Sequence, residues 1–137
     1  MNEPFELDAR LAGDTHFIGD LALSRVLLMD DARWPWLILV PRRAGLRELV
    51  DLEVDAQYVL LDEINRTARL LQHLHAPDKL NIAALGNVVA QLHVHVIARH
   101  HQDAAWPSPV WGRGERVAYA PNAARRAIGA LAAHLGC

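Results

Sequence analysis

Two histidines one residue apart carry the chemistry most open to inspection in this chain: Gln91-Leu92-His93-Val94-His95-Val96. Side chains on a strand alternate between faces. Gln91, His93 and His95 therefore share one face, with Ile97 and Arg99 continuing the row, while Leu92, Val94 and Val96 turn to the core. Imidazole titrates near neutral pH, so a neutral ring nitrogen is available to attack phosphorus and later to leave. A neighbouring histidine and a carboxamide can donate hydrogen bonds to phosphoryl oxygens as charge builds. Two other readings stand beside this one. The chain has eight histidines, and a solvated strand face can carry two of them by chance. A His-x-His strand can also chelate a metal, with His100 and His101 nearby but no glutamate or cysteine at a useful spacing. The residues alone leave all three open.

The elements that must hold this row can be read from periodicity. Asp8 to Ala12 reads as a short helical turn. Thr15–Leu21 and Leu23–Met29 read as strands, with Gly19-Asp20 as the turn signal near their junction. Trp36 to Val40 is an apolar run of strand length closed by Pro41. The segment Val54–His75 reads as the main helix. Leu60, Ile64, Ala68 and Leu71 make one apolar stripe, acidic residues including Glu63 come early, Arg66 and Arg69 come later, and Pro77 ends it. Lys79–Leu85 and Leu92–Ala98 are two more strands. Pro107, Pro109, Gly112 and Gly114 make 106–114 a structured arm, read as lid, dimer contact or plain packing. Pro121 opens a C-terminal helix with Ala124, Ile128, Leu131 and Leu135 on one face. Strands, a long helix, strands and an appended helix are not an alternating βα pattern. The expected class is α+β, an antiparallel sheet with helices packed on it.

Composition narrows the function classes. The 137 residues suit a single domain, 1–137. They are 52% apolar and 22% charged, which supports a packed core. A net charge of −2 gives no basic field for a nucleic-acid polymer. No run approaches the ~20 apolar residues of a membrane span, and the acidic N-terminus lacks the basic start of a signal peptide. The lone cysteine, Cys137, forms no internal disulfide. A cytoplasmic location is the expectation. Trp34 and Trp36 are read as core or dimer packing ahead of base stacking, and His73 and His75 as structural residues at a helix end.

The stretch from Asn81 to Arg99, centred on Gly86-Asn87-Val88-Val89-Ala90-Gln91-Leu92-His93-Val94-His95-Val96, resembles the signature of the histidine triad (HIT) family of nucleotide hydrolases and transferases. Leu37-Ile38-Leu39-Val40-Pro41-Arg42-Arg43 is similar to that family's third strand and its Pro-Arg ending. The likeness covers about residues 15 to 100. It implies an antiparallel sheet of about five strands with one long central helix, here followed by a C-terminal helix, and a homodimer. It also implies cleavage or transfer at the α-phosphate of a dinucleoside polyphosphate or nucleoside phosphoramidate, in the manner of a diadenosine tetraphosphate hydrolase. Carried over by position, His93 is the nucleophile and His95 bonds the phosphate or leaving group. Gln91 stands where the family has its first triad histidine and Asn87 where it often has glutamine. Asn81 and Arg99 are further polar candidates on the substrate side. The chemistry so implied needs a nucleotide substrate and no cofactor or metal. The alternatives are a nucleotide-binding module with little catalysis, and a metal-binding protein using His93 and His95. Trp34-Pro35-Trp36 replaces the family's frequent Gly-His, and Ala98 its frequent proline.

Overall fold

The computed structural model describes residues 3–137. Its elements are α1 (Ala9–Asp14), β1 (Thr15–Asp20), β2 (Ser24–Met29), β3 (Trp36–Pro41), a 3-10 turn (Leu49–Asp51), α2 (Val54–His75), β4 (Lys79–Ala83), β5 (Val94–Arg99) and α3 (Pro121–Leu135). The five strands form one antiparallel sheet in the order β1-β2-β3-β5-β4. The class is α+β, as expected.

Both faces of the central strands are covered. On one face, Val26, Leu28, Leu37, Leu39, Val96 and Ala98 pack with Ala68 and Leu71 of α2 and with Leu131 and Leu135 of α3. On the other, Leu27, Trp36, Ile38, Val40 and Ile97 pack with Leu11, Trp34, Ala105 and Val110. Every residue of β3 and of β5 is therefore buried. The solvated-face reading of the histidine row fails here. The arm after β5 and the start of the chain cover that face, and Val110 and Trp111 of the arm serve as packing.

Several boundaries move for local reasons. Gly19 is not in the turn; it lies within β1, where the pairing slips between Phe17 and Gly19. A Cβ there would collide with the Cys137 side chain, so glycine lets the chain just past α3 lie on the strand. The turn itself is at Leu21–Leu23, closed by the Leu21 N–H donating to the Ser24 carbonyl at 2.8 Å. Glu63, expected as a dipole charge, is buried. Its carboxylate accepts from the backbone N–H groups of Leu23 at 2.8 Å and Ser24 at 2.9 Å. A helix side chain thus satisfies donors of the β1–β2 turn, which a buried turn needs. Asp8 caps α1 by accepting from the Arg10 N–H at 2.8 Å. Strand β4 stops at Ala83, and β5 starts at Val94, two residues later than the alternation predicts. Just before β5, the Leu92 N–H donates to the Leu46 carbonyl at 2.9 Å. That bond ties the loop ahead of β5 to the loop that follows β3.

Candidate active site

His95 lies within β5, opposite Ile38 of β3 and Ala83 of β4. His93 sits one residue before the strand, and both side chains are buried. Their rings meet edge to face with centroids 4.9 Å apart. The sequence-based grouping of the two histidines is therefore realised, although only His95 is held by the sheet ladder.

The two imidazoles are held in opposite tautomers. His93 Nδ1 stands 2.6 Å from the Gln91 backbone carbonyl. A carbonyl only accepts, so Nδ1 carries the proton and Nε2 keeps a free lone pair. His95 Nδ1 lies 2.9 Å from the Trp36 indole Nε1, in a buried contact. An indole N–H only donates, so His95 Nδ1 is bare and its proton is on Nε2. Trp36 and Trp111 pack around the same ring, with centroids 5.7 and 5.0 Å away. Burial, assisted by the adjacent His93, pushes the His95 imidazole down to about 3. His95 is a neutral N–H donor at physiological pH.

This depression has a consequence for stability. As pH falls through the unfolded value near 6.5, the unfolded chain takes up a proton that folded His95 refuses until about 3. The contribution is full above about 6.5 and is lost progressively as pH drops toward 3. Its slope approaches ~1.4 kcal/mol per pH unit. His75, lowered by burial and by nearby His100, acts in the same direction. Urea unfolding at pH 7, 5.5 and 4.5 is expected to show this decline, with a shallower slope in His95→Asn.

A cleft of about 230 Å³ opens beside His93. Gln91 and Leu92 form one side, Arg47, Glu48, Leu49 and Val50 another, and Ala84, Leu85 and Gly86 the third. Arg47 puts a cation on this wall, with the carboxylate-bearing Glu48 next to it. Neither Arg47 nor the 3-10 turn beside it was singled out from sequence, because the loop carries no periodic pattern.

The other candidates are placed differently from one another. The Gln91 amide is taken up by the start of the chain: its Oε1 accepts from the Asp8 N–H at 2.9 Å and its Nε2 donates to the Glu6 carbonyl at 2.8 Å. Gln91 meets His93 through its backbone carbonyl rather than through its side chain. Asn87 is exposed in the β4–β5 connection, next to Gly86 of the cleft wall. Arg99 is buried and makes a bidentate pair with Asp103, Nε to Oδ2 at 2.7 Å and Nη2 to Oδ1 at 3.0 Å. It also donates to Asn81 Oδ1 at 2.9 Å and to the Ser108 carbonyl at 2.8 Å. Arg99 and Asn81 therefore form a structural cluster under the arm. Burial works against ionisation of Asp103, but the bonds from Arg99 and from the Ala105 and His100 N–H groups hold its carboxyl well below the usual range. Among the described residues, no group of three or more His, Cys, Asp or Glu is placed to hold a metal ion.

The family model described as the HIT domain matches residues 10–102, a span that contains the sheet, α2 and both histidines. The chain belongs to the HIT domain family. Members of this family are generally nucleotide hydrolases or transferases. A histidine triad protein from Bradyrhizobium japonicum is 49% identical, with a TM-score of 0.94, over 97% of this chain and 99% of that one. One from Marinobacter aquaeolei is 44% identical with a TM-score of 0.95, covering 98% of each chain. One from Sinorhizobium meliloti is 45% identical with a TM-score of 0.88, covering 96% and 95%. None of the curated proteins matches the chain. Among the described residues of this HIT protein, no helix is long and apolar enough to cross a membrane.

Proposed function

We propose that this HIT protein is a nucleotide hydrolase or nucleotidyltransferase that works through a nucleotidyl-His93 intermediate. Its substrate is a dinucleoside polyphosphate or a nucleoside phosphoramidate, attacked at the α-phosphate. One observation carries the reading: the Gln91 carbonyl accepts a hydrogen bond from His93 Nδ1–H and leaves Nε2 as an unprotonated nucleophile, on a residue that lines an open cleft. Gln91 stands at the position of the first triad histidine and serves through its main chain.

In the first half-reaction, the His93 Nε2 lone pair forms a bond to the α-phosphorus and the bond to the leaving group breaks. The imidazole becomes a cation whose Nδ1–H remains on the Gln91 carbonyl, so the positive charge develops against an oriented dipole. The His95 Nε2–H is a donor for a non-bridging oxygen, and Arg47 adds a cation on the cleft wall. Water then attacks the phosphorus, the electron pair of the P–N bond returns to Nε2, and the water proton passes to solvent. No cofactor is needed for either step.

Turnover of diadenosine tetraphosphate in H₂¹⁸O tests this reading. Label in the nucleoside monophosphate is the expected result. Tight binding without turnover would favour a binding module, and stoichiometric zinc lost on mutating either histidine would favour the metal reading.

A homodimer belongs to the same proposal. Among the described residues, strand β4 lies at a sheet edge with one side unpaired, and Ile82 on it is exposed. Val54, Tyr58 and Leu61 make an exposed apolar stripe at helical spacing on α2. Sedimentation equilibrium is expected to give twice the 15.2 kDa chain mass, and Tyr58→Glu to weaken the association.

A further inference from the structure

The geometry points to Trp36 as a positioning residue that locks His95 as a neutral donor, and through that lock to substrates whose leaving group departs without taking up a proton. This inference rests on the nucleotide reading above and narrows its substrate class to phosphate-terminated leaving groups.

Trp36 pairs with Ile97, and Ile38 with His95, so Trp36 and His95 are diagonal neighbours on one face of the sheet. Both are buried. The indole is held on its other sides by Trp34 and Trp111, edge to face, with centroids 6.3 and 5.9 Å away. It cannot swing aside without opening the core of that face. Its N–H therefore occupies His95 Nδ1 permanently, at 2.9 Å.

With Nδ1 occupied by a donor, His95 has no site for a second proton while the indole stays in place. It can offer Nε2–H as a hydrogen bond, but giving that proton away would leave an imidazolate. His93 holds its proton against the Gln91 carbonyl and uses Nε2 as the nucleophile. The Gln91 side chain cannot become a cation, and both of its polar atoms are engaged by Asp8 and Glu6. The paired histidines thus supply a nucleophile and hydrogen bonds, but no proton for the leaving atom.

The two substrate classes respond differently. When the P–O bond to a polyphosphate breaks, its electron pair stays on an oxygen that leaves as a stable phosphate anion. When a P–N bond breaks, the pair would stay on nitrogen as an amide anion unless a proton reaches that nitrogen first. A site without an acid therefore favours the former. Removing the indole N–H while keeping an aromatic ring, as in Trp36→Phe, frees His95 Nδ1, so that a proton from water can enter there as Nε2–H passes to the leaving atom, with no resting imidazolium required.

The experiment has two arms on the full-length protein. In the first, ¹⁵N correlation spectra of the imidazoles read the tautomers. Wild type is expected to show His95 protonated on Nε2 alone. Trp36→Phe is expected to show exchange between tautomers, with Trp36→Leu as a second variant should Phe disturb the fold. A wild-type His95 protonated on Nδ1 would overturn the lock. In the second arm, kcat/KM is compared for diadenosine tetraphosphate and adenosine 5′-phosphoramidate. Wild type is expected to favour the polyphosphate at least 100-fold, and Trp36→Phe to narrow that ratio at least 10-fold. Equal or better use of the phosphoramidate by wild type would overturn the substrate assignment. Turnover of neither compound would overturn the nucleotide reading and the assignment with it, while the tautomer result would still decide the role of Trp36.

Discussion

His93→Ala is expected to abolish turnover, lowering kcat by roughly four to six powers of ten, the scale seen when a covalent nucleophile is removed. Nucleotide affinity should change little, because the cleft walls from the Arg47 loop and the β4–β5 connection remain. The size of the effect follows from the geometry. His93 lines the cleft, and Nε2 is its bare nitrogen, since the Gln91 carbonyl holds the other ring nitrogen as a donor at 2.6 Å. His95 cannot substitute for it, because its own lone pair at Nδ1 is occupied by Trp36. The loss should therefore be nearly complete rather than shared between the two imidazoles. Steady-state kinetics with diadenosine tetraphosphate, paired with a binding titration, separates the two quantities. A variant that retains more than about one per cent of kcat would contradict the assignment.

The second large effect concerns stability. Arg99→Met is expected to cost about 3–5 kcal/mol, the range for removing one partner of a buried ion pair. The Asp103 carboxylate is nearly inaccessible, at 5% side-chain exposure, and would be left as an uncompensated charge. The Asn81 Oδ1 and the Ser108 carbonyl would lose their donors in the same change. A domain of this size has only about 5–15 kcal/mol in total, so the variant should unfold at a much lower urea concentration. Salt should alter the difference little, since burial limits screening. A loss below about 1 kcal/mol would show that the pair does not hold the arm as described.

The long helix was legible. Its stripe, its charge order and Pro77 all point the same way, and α2 runs from Val54 to His75. The grouping of His93 with His95 was legible too, although only His95 lies within β5 and His93 sits one residue before it. Three features were not. The tautomer of His93 depends on a backbone carbonyl, and carbonyls leave no mark in a residue pattern. The indole bond to His95 depends on the register between β3 and β5, which are separated by more than fifty residues. Trp36 alone reads only as an aromatic in an apolar run. Arg99 was placed correctly on the histidine face, but alternation does not say what covers that face. The arm carrying Asp103 and Ser108 covers it, which turns a candidate phosphate contact into a buried structural cation. Gln91 shows the same limit: its position in the row was readable, whereas the engagement of its amide by Glu6 and Asp8 required the fold.

Turnover by the proposed route passes through a covalent bond from nucleotide to His93. Rapid-quench trapping with radiolabelled diadenosine tetraphosphate, followed by peptide mapping, detects that bond. The expected result is an acid-labile, base-stable nucleotidyl adduct on the peptide containing His93, formed by wild type and absent from His93→Ala. Multiple turnovers with no adduct at any quench time, or an adduct on another residue, would contradict it.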